Sequence, residues 1–199
     1  MTRLRRTEIV PSAGDAPFAI RKERAADVVA REALLDACFG ANRDARTCQR
    51  LREGRLPAEG LSLSAVRGDE LVGTVRLWHV RAGGTRALVL GPLAVDPSCR
   101  KLGIGAALVE QALAAAKARG HRAVILLGDA PYYARFGFSA QKANRLTLPG
   151  PFERDRLLAL ELCEGALQNA CGMIVSLGAC LPGRARATKT APRTVSRAA

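Results

Sequence analysis

Apolar positions along the chain follow two different periods. From Arg24 to Phe39, Ala26, Val29, Ala30, Ala33, Leu34 and Cys38 recur at helical spacing. From Gly103 to Arg119, Ile104, Leu108, Val109, Ala112 and Leu113 gather on one side, against Glu110, Gln111 and Lys117 on the other, until Gly120 supplies a stop. A further helix is expected within Asp44–Glu53. Between these helices lie LSLSAV (61–66), LVGTVRLWHV (71–80) and ALVLGPLAV (87–95). They are separated by Arg67-Gly68-Asp69-Glu70 and by Ala82-Gly83-Gly84, which predicts three consecutive hairpin-linked strands.

After the second helix, AVILL (123–127) is a short β-branched run that predicts a buried strand. RLLALELC (156–163) and GMIVSLG (172–178) are further strand candidates, Phe18–Arg21 is a short first one, and Tyr132–Phe136 reads as a turn. Segments 87–95, 103–119 and 123–127 form a strand-helix-strand unit, whose strands should run parallel with a right-handed crossover. The fold class expected is α/β: a mixed sheet, antiparallel in its N-terminal half and parallel at that unit. Residues 1–17, with Pro11, Gly14 and Pro17, read as a flexible leader. Residues 18–181 read as one domain, and the Ala/Thr/Pro-rich 182–199 as a basic disordered tail.

Charge changes the picture. A formal net charge of +13 favours anionic ligands, and it rests on 31 Lys and Arg against 18 Asp and Glu. Five of the basic residues, Arg184, Arg186, Lys189, Arg193 and Arg197, fall in the tail, which holds no acid. A nucleotide cofactor and a nucleic acid both answer to such a charge. No aromatic-basic interleaving and no helix-turn-helix or RNA-recognition signature accompanies it, so no specific nucleic-acid partner is expected. The six cysteines form no Cys-x-x-Cys pair, and neither His79 nor His121 stands at metal-ligand spacing. Free thiols, no metal, no membrane span and a cytoplasmic location are therefore expected.

The chemistry concentrates in PLAVDPSCRKLGIGAALV (92–109). It lacks the Lys-Ser/Thr ending of a Walker loop and the third glycine of a dinucleotide fingerprint. What remains is Arg-x-x-Gly-x-Gly-Ala, residues 100–106, between a strand and a helix. Two glycines let successive backbone N–H groups converge while the helix adds its positive end, an arrangement suited to a diphosphate that Arg100 and Lys101 would neutralise. A plain tight turn is the competing reading. Gly91-Pro92 tips the balance: a Pro inside a strand belongs at an edge or bulge, and a bulge there would splay 87–95 from 123–127 and open a slot onto the glycine turn.

These residues resemble the GNAT superfamily of acyl-CoA-dependent N-acetyltransferases. LAVDPSCRKLGIGAALV (93–109) is similar to the family's acetyl-CoA motif, and YYARFGF (132–138) to its Tyr-x-x-x-Gly-Phe segment, with the resemblance running from Phe18 to Glu164. Two departures stand out: Gly128-Asp129 where the family often has Asn, and a helix before Gly137 cut to about one turn. The resemblance implies a GNAT-like fold and transfer of acetyl from acetyl-CoA to a primary amine by direct attack in a ternary complex. It implies that backbone groups of Leu93, Ala94 and Val95 hold the pantetheine, and that those of Lys101, Leu102, Gly103, Ile104, Gly105 and Ala106, with the Arg100 side chain, hold the diphosphate. Tyr133 takes the position of the general acid, with Tyr132 as its neighbouring alternative. For the base, Asp129 at the end of strand 123–127 is the candidate; His79 reads as structural, and His121 as remote. The acceptor, small molecule or protein, is expected to meet residues 39–60 and 139–155, and a homodimer is compatible. The alternative is a non-catalytic acyl-CoA-binding sensor or partner module.

Overall fold

A computed structural model describes residues 18–181; the expected leader and tail lie outside the described residues. The described residues form eight strands: β1 (Ala19–Lys22), β2 (Ser62–Arg67), β3 (Glu70–Ala82), β4 (Thr85–Val95), β5 (Ala123–Leu127), β6 (Leu146–Thr147), β7 (Leu157–Glu161) and β8 (Gly172–Ser176). Three α-helices accompany them: α1 (Val28–Phe39), α2 (Ile104–Ala118) and α3 (Ala130–Ala134). The sheet runs β1-β2-β3-β4-β5-β7, with β8 paired to β3 at Ala82 and Val80, beyond the reach of β2. Its first four strands are antiparallel and β4–β5 is parallel, the mixed arrangement expected from the sequence. Among the described residues no helix is long and apolar enough to cross a membrane.

Alternation along the strands sorts the core into two layers. Leu63, Val75, Leu77, Leu88, Val124 and Leu158 face α2, which presents Ile104, Leu108 and Ala112 to them. Trp78, Val80, Val89, Ile125 and Leu157 face the opposite way, against Leu51, Leu146 and Ile174. Such burial contributes roughly 1.5–3 kcal/mol for each large aliphatic side chain. Gly73 sets how near α2 comes. A Cβ there would meet Ile104 Cγ2 and Leu108 Cδ1 at 3.0 Å, so the first two turns of α2 rest on bare backbone.

Two expectations need correction. The helix expected from Arg24 starts as a 3-10 turn, Ala25–Asp27, because the buried Asp27 carboxylate captures the Arg24 amide at 2.8 Å and the Arg21 fork at 2.6 and 2.8 Å. The helix expected within Asp44–Glu53 is two 3-10 turns, Ala41–Ala45 and Thr47–Leu51, broken by an extended Arg46. Its few apolar positions, chiefly Cys48 and Leu51, supply too narrow a face to hold a longer helix down.

The bulge at Gly91-Pro92 is present. Val75 pairs with Leu93 and Leu77 with Leu90, so two residues of β4 oppose Arg76 alone. The extra residue reverses the facing of β4. Leu88 and Leu90 point toward α2 before the bulge, and Leu93 and Val95 do so after it, while Ala94 turns to Leu34 and Leu35 of α1. Trp78 pins the bulge from the far face by donating its indole N–H to the Gly91 carbonyl at 2.7 Å.

Candidate active site

β4 and β5 pair only at Leu88–Val124 and Val89–Ile125. Past that point β5 keeps pairing with β7 through Leu127, while β4 from Leu90 to Val95 stays bonded to β3. The two strands therefore part, and among the described residues the β5-facing edge of Leu90–Val95 has no strand partner. This is the slot that Gly91-Pro92 suggested. Beyond it, Asp96 turns the chain by accepting the Ser98 amide and hydroxyl at 2.8 and 2.6 Å, bonds that hold its carboxyl below the usual range.

The glycine turn follows directly. Arg100 is extended, while Lys101 (φ 69°) and Gly103 (φ 77°) take left-handed conformations. α2 begins at Ile104 with no side chain capping it. The first amides of a helix have no intrahelical acceptor, so those from Gly103 to Ala106 remain available beside the slot. Arg100 and Lys101 are exposed here. A Cβ at Gly103 would enter open space, and one at Gly105 would stand 3.0 Å from the Tyr132 hydroxyl and 3.5 Å from Val95 Cγ2. Thus the tip of Tyr132, the head of α2 and the end of β4 meet at one spot. Leu102 is an exposed apolar side chain at the rim.

On the other side the slot opens into a cleft of about 1210 Å³, walled by residues 43–49 and 52–57, by Arg76 and Trp78, and by Pro151–Glu153. Asp129, Tyr132 and Tyr133 line it together with Gly91, Pro92 and Leu93. Tyr133 packs edge-on against Tyr132 and Phe138, with ring centroids 4.9 and 5.8 Å away. Burial first, then Tyr132 and Asp129, push its phenol up to about 12. The Gly128 that replaces the expected Asn has a steric role: a Cβ there would lie 2.4 Å from Tyr133 Cε2. Asp129 is exposed at the end of β5, and no group among the described residues hydrogen-bonds to its carboxylate.

Two other carboxylates near the cleft are occupied. Glu23 is held between Arg31 and Arg76. Against the cost of burial, bonds from Arg31 and Arg43 keep Glu32 below the usual carboxylate range. Cys48, a thiol lining the cleft, is pushed up by burial and is no ready nucleophile. His79, within β3, has its ring 5.4 Å from that of His121, and both lie outside the cleft.

Sequence reasoning missed Arg52, Trp78 and the role of Gly128. Nothing local marks them, because each acts on a residue distant in sequence or through a ring it leaves room for.

Comparison with known proteins bears on this arrangement. Residues 29–138 match the profile of the acetyltransferase (GNAT) family. The chain is 30% identical over 157 residues to the uncharacterized N-acetyltransferase YhbS of Escherichia coli K12, covering 78% of this chain and 93% of that protein. The crystal structure of Escherichia coli YhbS in complex with CoA superposes with a TM-score of 0.70 at 29% identity, over 80% of this chain and 89% of that one. A GNAT family acetyltransferase from Brucella melitensis in complex with acetyl-CoA gives a TM-score of 0.55 at 28% identity, over 73% of this chain and 96% of the other.

Proposed function

The chain belongs to the GNAT family of acetyltransferases, and from that premise we propose that it transfers acetyl from acetyl-CoA to a primary amine by direct attack within a ternary complex. One observation carries this reading: the unpaired edge of Leu90–Val95 leads straight into the uncapped head of α2. A long ligand ending in a diphosphate suits a groove of main-chain groups that terminates in a positive helix end. The two solved neighbours bound to CoA and acetyl-CoA support the same choice.

The residues fit that coenzyme. Acetyl-CoA, when bound, supplies an acetyl group activated as a thioester. Leu93, Ala94 and Val95 offer main-chain N–H and C=O groups to orient the pantetheine and to polarise the acetyl carbonyl, and preorganised donors of this kind supply a large share of transition-state stabilisation. Lys101, Leu102, Gly103, Ile104, Gly105 and Ala106 present amides to the diphosphate, and Arg100 adds a mobile positive charge. Asp129, free and exposed at the cleft, takes the proton that an ammonium must lose before it can attack.

Tyr133 returns a proton to the departing sulfur. Pushed up to about 12, the phenol carries its proton at neutral pH. The same apolar surroundings strengthen a thiolate as a base, which restores the driving force for transfer. A covalent acyl-enzyme is disfavoured because the Cys48 thiol is held protonated.

The test is release of free thiol from acetyl-CoA across a panel of amines, run beside calorimetric titration of the coenzyme. Saturable coenzyme binding with amine-dependent thiol release is expected. Binding without release for any amine would turn the reading toward an acyl-CoA sensor.

A further inference from the structure

Arginines crowd the cleft, and their partners differ. Arg31 and Arg76 hold Glu23, Arg43 bonds Asp36 at 2.6 Å, and Arg156 stands 3.5 Å from Glu153. Arg55 donates to the Gly178 carbonyl at 2.7 Å, and Arg46 lies over the Phe39 ring. Arg52 is different. It closes the Thr47–Leu51 turn, which Leu51 anchors in the core, and its guanidinium reaches to within 3.9 Å of where a Cβ on Gly91 would stand. Its Nε is shut off from solvent, and no hydrogen-bond partner meets it. No carboxylate pairs with it among the described residues.

A guanidinium whose Nε is cut off from water and unpaired is unfavourable, and burial pulls it below the usual arginine range, while the rest of the fork lines the cleft. The fork still stays charged at neutral pH and keeps its donors aimed at the cleft wall beside the β4 bulge. Of the neighbouring acids, Asp44 lends it attraction at a distance but no ion pair, and Glu32 is spent on Arg31 and Arg43. An anion arriving with the acceptor would relieve it.

We propose that Arg52 is a specificity-determining residue that binds an anionic group carried by the acceptor, so that the substrate is a small primary amine with a carboxylate or phosphate close to its nitrogen. The bulge at Gly91 lies on the path proposed for the thioester, so an anion on Arg52 would bring a nitrogen a few bonds away toward the acetyl carbonyl. The proposal rests on the acetyl-transfer reading. It is separable from it, because coenzyme titration reports on that reading and a ratio between matched amines reports on Arg52.

The experiment measures kcat/KM by thiol release for matched pairs: tyrosine against tyramine, histidine against histamine, and O-phosphoethanolamine against ethanolamine. The first two pairs test a carboxylate and the third a phosphate. The wild-type protein should favour the anionic member of at least one pair by about 100-fold. Arg52→Met should bring that ratio close to one, and Arg52→Lys should restore part of it. The ratio is internally controlled, since a misfolded variant loses both members alike. A wild-type ratio near one for every pair, or a ratio that survives Arg52→Met, overturns the proposal. Titration of the N-acetylated products against the protein–CoA complex gives a second readout: binding by an anionic product that Arg52→Met abolishes supports it, and no binding by any of them overturns it.

Discussion

The head of α2 and the arginine-lined cleft sit at opposite ends of one slot, and they are built on different principles. The first is main chain: an unpaired strand edge, two left-handed residues and a set of free amides, with its charged side chains exposed. The second is side chain: carboxylates and guanidiniums from α1, β3 and the 3-10 turns that follow α1, several of them paired, with the Arg52 Nε buried and unpartnered. Backbone recognition suits a ligand shared by a whole family, because it needs only a conformation. Side-chain recognition suits a ligand that differs from member to member.

Substitutions can break this division or sharpen it. The largest effect is expected from Gly103→Trp, which fills open space at the head of α2 without touching the core. It should abolish saturable coenzyme binding in a calorimetric titration, and intact binding would remove the diphosphate from that turn. Next comes Tyr133→Phe, expected to lower turnover by about 10²–10⁴ while coenzyme affinity holds. Tyr132→Phe is the control, since its hydroxyl stands beside Gly105; a larger loss there would exchange the roles of the two rings.

Smaller effects should follow from the layer that carries the head of α2. Gly73→Val forces Ile104 and Leu108 outward, and overpacking of this kind costs roughly 1–3 kcal/mol. Denaturant unfolding should register that loss, and coenzyme affinity should weaken with it if the position of α2 sets the cup.

The smallest effect is one of pH. The Tyr133 phenol is pushed up to about 12 from an ordinary 10, so the folded protein holds its proton more tightly than the unfolded chain does. That stabilisation is complete below pH 10 and is lost as pH rises through 12. Melting temperature should fall more steeply over that window in the wild type than in Tyr133→Phe, and parallel profiles would mean the ring is not held in its apolar site.

Legibility followed the same division. The period of apolar residues marked both long helices and every strand but the short β6, and the AVILL strand fell at its observed bounds of Ala123–Leu127. The Gly91-Pro92 interruption predicted the splay between β4 and β5, because a proline lacks the donor a ladder requires. Where periodicity was thin, between Asp44 and Glu53, a helix was expected and two 3-10 turns formed. That stretch takes its shape from contacts such as Leu51 in the core and Arg46 over Phe39, neither of which is written in its own pattern.

From the sequence alone came the strand-helix-strand unit, the glycine turn between its parts, the tyrosine pair before Gly137, and through them the family. Those are local features, since conformational freedom, capping and periodicity act over a few residues. Only the tertiary structure decided which cleft arginine keeps a buried Nε without a partner, which tyrosine reaches the head of α2, and which indole pins the bulge. Pairing is a property of distance in space. Twenty-six arginines cannot be sorted into the satisfied and the unsatisfied until the chain has brought Arg52 beside Gly91 and given Glu23 and Glu32 to others.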